Sequence, residues 1–126
     1  MAVKGEFSKL TVEAGADLRS LQYYAIALDD GQRAIHGGEA NGILQSKPNT
    51  GEPATIGYLG VMKFRAGGAV SKDNWLRVDS NSTFVAAGSG HHLVGRALAA
   101  VTSGSIGTGV FNFANPPYAF SSSFLL

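Results

Sequence analysis

Turn signals interrupt this chain so often that no long helix fits between them. From Leu21 to Phe113, short apolar or β-branched runs alternate with clusters of Gly, Pro, Asn, Asp and Ser. The clusters recur about every 8–12 residues, the spacing of a β-sandwich or small barrel. A parallel α/β sheet needs helical pattern of about 10–15 residues between strands, and none is present. The 17 glycines push the same way, since glycine inside a helix costs about 1 kcal/mol relative to alanine. The expected fold class is all-β, a barrel or sandwich.

Residues 21–28, aromatic and aliphatic, predict a strand that ends at Asp29-Asp30-Gly31, where Asp-Gly tolerates the positive φ of a tight hairpin. Residues 33–36 predict the returning strand. A short strand at 42–45 precedes a loop at 46–53, which holds Pro48 and Pro53. Strands follow at 54–59 and, beyond Gly60, at 61–66. The latter alternates strictly, with Val61, Lys63 and Arg65 on one face and Met62, Phe64 and Ala66 on the other, the mark of a half-buried strand. Further strands are predicted at 75–78, 83–87, 93–98 and 108–113, with turns at 72–74 and 79–82; residues 97–101 fit one helical turn as an alternative. About eight strands result.

At 126 residues with 44% hydrophobic side chains, the chain holds one core. Three parts are expected: an arm at 1–19, in which Leu10-Thr11-Val12 fits a short strand, a β domain at 20–113, and an apolar tail at 114–126. Pro116-Pro117 forbids a ladder strand through the tail, yet its aromatic and aliphatic residues are the wrong kind for a solvated end. Ten basic and nine acidic residues leave a net charge of +1, which gives no general pull toward nucleic acid or an anionic membrane. The distribution is lopsided: all acidic residues lie at or before Asp79, and from Ser80 onward the one formal charge is Arg96. So long an uncharged stretch needs cover beyond one small core, which predicts a face buried on a partner.

No cysteine is present, which removes disulfides and thiolate chemistry. No run approaches the ~20 apolar residues that span a bilayer, and residues 1–10 lack the apolar run of a signal peptide, so synthesis in the cytoplasm is expected. His91-His92 on a strand would point to opposite faces and could not share a metal; a solvated turn is the better reading, and a surface position is the better one for His36. Asp29-Asp30-Gly31 lacks the ligand spacing of a calcium loop. No G-x-S-x-G elbow exists, and residues 104–109 are glycine-rich without a P-loop lysine. Lys63, Arg65, Lys72 and Arg77 near Phe64 and Trp75 form the best basic–aromatic cluster for single-stranded nucleic acid, but Asp73 and Asp79 interrupt it. The plainer reading turns the basic residues outward and places Trp75 in the core. No catalytic, cofactor-binding or metal residue is expected.

Lys9-Leu10-Thr11-Val12-Glu13-Ala14-Gly15-Ala16-Asp17-Leu18, followed by Gln22-Tyr23-Tyr24-Ala25-Ile26, resembles the start of bacteriophage capsid cement (head decoration) proteins. Gly42-Ile43-Leu44-Gln45-Ser46-Lys47-Pro48, Gly51-Glu52-Pro53-Ala54-Thr55-Ile56, Ala66-Gly67-Gly68-Ala69-Val70 and Leu93-Val94-Gly95-Arg96-Ala97-Leu98 are similar to later segments of that family. The resemblance spans about residues 9–111; residues after Phe113 depart from the pattern. It implies a β-tulip-like, non-catalytic protein on the capsid exterior of the virion. The implied partners are the major capsid protein and further copies of itself, a trimer ahead of a dimer, without nucleic acid or membrane.

Two segments are then candidates for the capsid or oligomer interface: Leu10, Thr11, Val12 and Leu18 in the arm, and Tyr118, Phe120, Phe124, Leu125 and Leu126 in the tail. Strand addition by the arm would supply backbone hydrogen bonds, and repetition around a lattice would supply avidity. Removing residues 1–18 is then expected to abolish shell binding and leave the domain folded. Two other readings compete, a small barrel that binds an oligonucleotide or ligand, and another virion component such as a head-fibre or tail protein.

Overall fold

The computed structural model describes residues 7–28, 30–34, 40–88 and 93–113. Asp29, His36, His91, His92 and the predicted tail lie outside these residues. Among the described residues nine strands form: β1 (Phe7–Glu13), β2 (Ala25–Ala27), β3 (Gln32–Arg33), β4 (Gly42–Leu44), β5 (Pro53–Arg65), β6 (Trp75–Val78), β7 (Phe84–Ala86), β8 (Gly95–Ala97) and β9 (Ile106–Asn112). None of the described residues is helical, so residues 97–101 take the non-helical alternative. The strands make one sheet in the order β3-β2-β4-β5-β9-β8-β6-β7, with β1 added on β5, and every strand pairing is antiparallel. The all-β class follows.

The sheet curls until its far end meets its middle. Ala66, one residue past β5, bridges Phe84 of β7, and the Gly67 amide donates to the Phe84 carbonyl at 2.8 Å. β5, β9, β8, β6 and β7 thereby close a small barrel. The β2–β3 hairpin is tied to the same closure, since the Ala25 amide donates to the Ser82 carbonyl at 2.8 Å and the Ser82 hydroxyl donates to the Ala34 carbonyl.

Rings fill the barrel. Phe64, Phe84 and Phe111 are fully buried, with centroids 5.4–5.6 Å apart in edge-to-face pairs, a geometry that aromatic quadrupoles favour. Phe113 stacks on Phe111 at 5.9 Å. Gly95, Gly107 and Gly109 line this cluster because a Cβ at any of them would press into Phe64, Phe111 or neighbouring backbone. Beside it, Ala14, Leu18, Ile26, Leu44, Ala54 and Ile56 form a second core under the first half of β5.

β5 joins the two cores. The predicted strands 54–59 and 61–66 are one 13-residue strand, because Gly60 (φ 120°) bends the backbone without ending its pairing. Its alternation is as predicted: Met62, Phe64 and Ala66 are buried while Lys63 is exposed. Residues 21–24, by contrast, form a turn rather than strand. Tyr23 has φ 74°, held by its amide on the Leu44 carbonyl (2.7 Å) and its carbonyl under the Arg65 amide (3.0 Å).

The expected arm is corrected. Phe7–Glu13 pairs with β5 along its whole length, from Phe7↔Gly60 to Glu13↔Pro53, with a bulge at Ser8/Lys9. Ile56 and Gly57 face β4 on one edge and β1 on the other, and Leu59 and Gly60 face β9 and β1, so β4 and β9 share one edge of β5 while β1 covers the opposite edge. Leu18 is corrected too: it is 1% exposed and belongs to the second core. It cannot meet a partner without unpacking its own domain.

A candidate docking face

On the outer surface of β5, β9, β8 and β6, two strands of the uncharged segment, β8 and β9, lie between two strands from the charged part of the chain. Register lines up Val61, Val110, Arg96 and Trp75 side by side across the four strands. Leu59 and Asn112 form the next row, and Leu98 and Ile106 lie toward the other end of β9. Trp75 (43%), Val110 (44%), Leu59 (41%) and Ile106 (38%) are the large apolar side chains most exposed among the described residues. Together they leave on the order of 300 Å² of apolar surface bare.

Arg96 supplies the row's one charge. Its guanidinium carbon lies 5.3 Å from the Trp75 ring centroid, and its Nε donates to the Asp73 carbonyl at 3.1 Å. The cation thus lies within cation–π range of the indole, a contact made by arginine more often than by lysine. The rest of the indole lines a shallow depression of about 420 Å³ with Val94, Leu98, Val110 and Asn112.

Trp75 therefore overturns its sequence reading as a core residue. Local alternation carried the signal: in Trp75-Leu76-Arg77-Val78, Leu76 and Val78 are buried, so Trp75 must share the outer face with Arg77. The same arithmetic on β9 turns Phe111 inward and Val110 outward. The basic–aromatic cluster comes apart for the same reason. Phe64 is wholly buried, so it offers no platform beside Lys63 and Arg65.

Two other surfaces have features of their own. Among the described residues no strand pairs with the outer edge of β1, where Leu10 and Val12 are half-buried and Thr11 is exposed. Near the barrel closure, Arg65 and Arg33 flank Tyr24 around a second depression, with the Arg65 guanidinium 5.9 Å from the Tyr24 ring centroid. Neighbouring Arg19 is already matched by Asp17 at 2.8 Å, a contact that holds the Asp17 carboxyl down at about 2. The remaining interface candidates, Tyr118, Phe120, Phe124, Leu125 and Leu126, lie outside the described residues. Among the described residues, no three His, Asp or Glu side chains group as a metal site would require.

No family model and no curated protein sequence matches the chain. The fold does have a likeness among solved structures, the N base of the head fiber protein gp8.5 of bacteriophage phi29. The two superpose with a TM-score of 0.68 at 15% identity, over 86% of this chain and 96% of that one. At this identity the likeness is one of fold.

Proposed function

We propose that this chain is a structural protein of a bacteriophage virion that seats on the outside of the head shell. The observation that carries the reading is the shared fold with the phi29 head fiber base, which extends over nearly all of that domain. The resemblance of residues 9–111 to capsid cement proteins points to the same location from independent features. The role is mechanical rather than catalytic: the domain adds contacts to an assembled lattice, and many weak copies act together. The major capsid protein is the partner, with copies of the chain grouped at a symmetry axis, as a trimer in the cement-protein reading. The fold likeness favours a second form of the same role, the base from which a head fibre projects.

Of the available surfaces, the outer edge of β1 is the one we assign to the shell. A specific interface buries at least ~1,200 Å² in total, far more than the apolar row offers. An unpaired strand edge instead offers a directional ladder to an incoming strand. Leu10, Thr11 and Val12 keep the interface role expected of them, but as part of an acceptor edge rather than a free arm. Lys9, Glu13 and the bulge at Ser8/Lys9 deter unspecific pairing at that edge.

Purified full-length chain mixed with undecorated heads should co-sediment with them in a density gradient. Hydrogen exchange on the bound protein should then show new protection in residues 7–13. Failure to co-sediment sinks the virion role. Co-sedimentation with protection elsewhere, and none in β1, removes the edge and leaves the role standing.

A further inference from the structure

Beside the barrel closure, Arg33, Lys47 and Arg65 make no ion pair with any described residue. Arg33 and Arg65 line one depression of about 350 Å³; Arg65, Lys47 and Arg19 line a second of about the same volume. No carboxylate lines either of them. We propose that this surface binds an extended acidic segment of a partner protein, with carboxylates seated on Arg33, Arg65 and Lys47. This stands whether or not the protein binds a phage head.

The fold holds each cation in place. Arg65 ends β5, where its amide donates to the Tyr23 carbonyl at 3.0 Å and its Nη1 to the Gly104 carbonyl at 2.6 Å. Arg33 lies on β3, paired with Ile26. Lys47 precedes Pro48, whose carbonyl accepts the Leu18 amide at 2.9 Å. Arg65 borders both depressions and so joins them into one surface. Groups positioned before a partner arrives lose less freedom when it binds.

The nearby acids are already engaged. Asp17 pairs with Arg19 at 2.8 Å. Asp79 accepts the Thr83 hydroxyl at 2.8 Å and the amides of Asn81 (2.9 Å) and Thr83 (3.0 Å). Glu52 accepts the Asn49 amide at 2.6 Å. Arg65, by contrast, uses one guanidinium N–H on Gly104, and its Nε is buried with no acceptor among the described residues. A carboxylate, planar with two acceptor oxygens, is what an arginine fork matches.

The surroundings favour polypeptide over nucleic acid. Single strands bind by stacking bases on free aromatic rings. Here the Tyr24 ring is engaged by the Arg65 guanidinium at 5.9 Å, Tyr23 packs against the main core, and Trp75 lines neither depression. Leu21 in one depression and Ile106 in the other suit apolar side chains set between carboxylates. With a net charge of +1 the attraction is local rather than a property of the whole chain.

The test uses the full chain and a fluorescein-labelled hexaglutamate peptide, followed by fluorescence anisotropy at low salt. Saturable binding is expected, weakening as salt screens the charges. Arg33→Gln and Lys47→Gln should each weaken it about threefold to fivefold, and R33Q/K47Q about tenfold or more. Both side chains are exposed and unpaired among the described residues, so the fold should survive. Lys72→Gln makes the same change in net charge away from both depressions and should bind as the unaltered chain does.

Equal weakening by K72Q and R33Q would overturn the proposal, because net charge alone would then explain the binding. So would an absence of binding, or tighter binding of an oligothymidylate of equal charge, which would give the surface to nucleic acid. Light scattering at low salt covers the remaining occupant. A dimer that R33Q/K47Q converts to monomer would overturn the proposal in favour of a second copy.

Discussion

Phe84→Ala should cost about 3–5 kcal/mol, enough to remove most of the stability of a domain this size. The ring is fully buried, with edge-to-face neighbours at 5.6 Å (Phe64), 5.4 Å (Phe111) and 6.4 Å (Phe113). Truncation leaves a cavity that cannot collapse easily, because Phe84 sits where the barrel closes: its backbone bridges Ala66 and accepts the Gly67 amide. Each lost ring pair adds about 0.5–1.5 kcal/mol beyond the area term. Urea unfolding monitored by circular dichroism should show the midpoint fall with little change in slope. Val110→Ala is the matched control. Its side chain lies on the outer face, so its cost should stay within about 0.5 kcal/mol. A Phe84→Ala loss below about 1 kcal/mol would mean that the three-ring cluster is not the centre of the core.

What the sequence disclosed depended on how far apart the interacting residues lie. The hairpin of β2 and β3 turns at Asp30-Gly31, where Gly31 takes φ 66°, and its signal is wholly local. So is the alternation of Val61 to Ala66. Residues 21–24 misled because their aromatic run looks like strand, and the residue that takes positive φ there is a tyrosine rather than glycine. Gly60 misled in the opposite sense: it looks like a break, but pairing partners on both sides of it carry β5 through.

The docking face needed register as well as alternation. Val61, Val110, Arg96 and Trp75 come from four strands and become neighbours only once the pairings are known. The lack of charge after Asp79 announced that some surface would be apolar without saying which. The sequence places Leu18 at an interface because it lies within the expected arm. Its true surroundings, Ile26, Leu44, Ala54 and Ile56, are brought together by β1 and β5, which lie some forty residues apart in sequence.

That pairing sets the last expected result, which reverses the one drawn from sequence. Removing residues 1–18 should abolish the cooperative unfolding transition instead of leaving a folded domain without its arm. The deletion strips β1 from β5 along all of Phe7–Glu13 and exposes a strand edge at Pro53 to Gly60, an open template for aggregation. It also takes Ala14 and Leu18 out of the second core; burial of a leucine like Leu18 alone is worth about 2–5 kcal/mol against truncation to alanine. Finally it removes Gly15, whose amide donates to the Gly31 carbonyl at 2.9 Å and pins the β2–β3 hairpin to the end of β1. A milder version isolates that pin. Gly15→Ala would drive a Cβ into the backbone carbonyl of Asp30, and backbone cannot step aside as a side-chain tip can, so a loss of about 1–3 kcal/mol is expected. Size-exclusion chromatography and thermal melts on the two proteins provide the check. A truncated chain that stayed monomeric and melted where the full chain melts would show that β1 is dispensable, and the free-arm description would have to be restored.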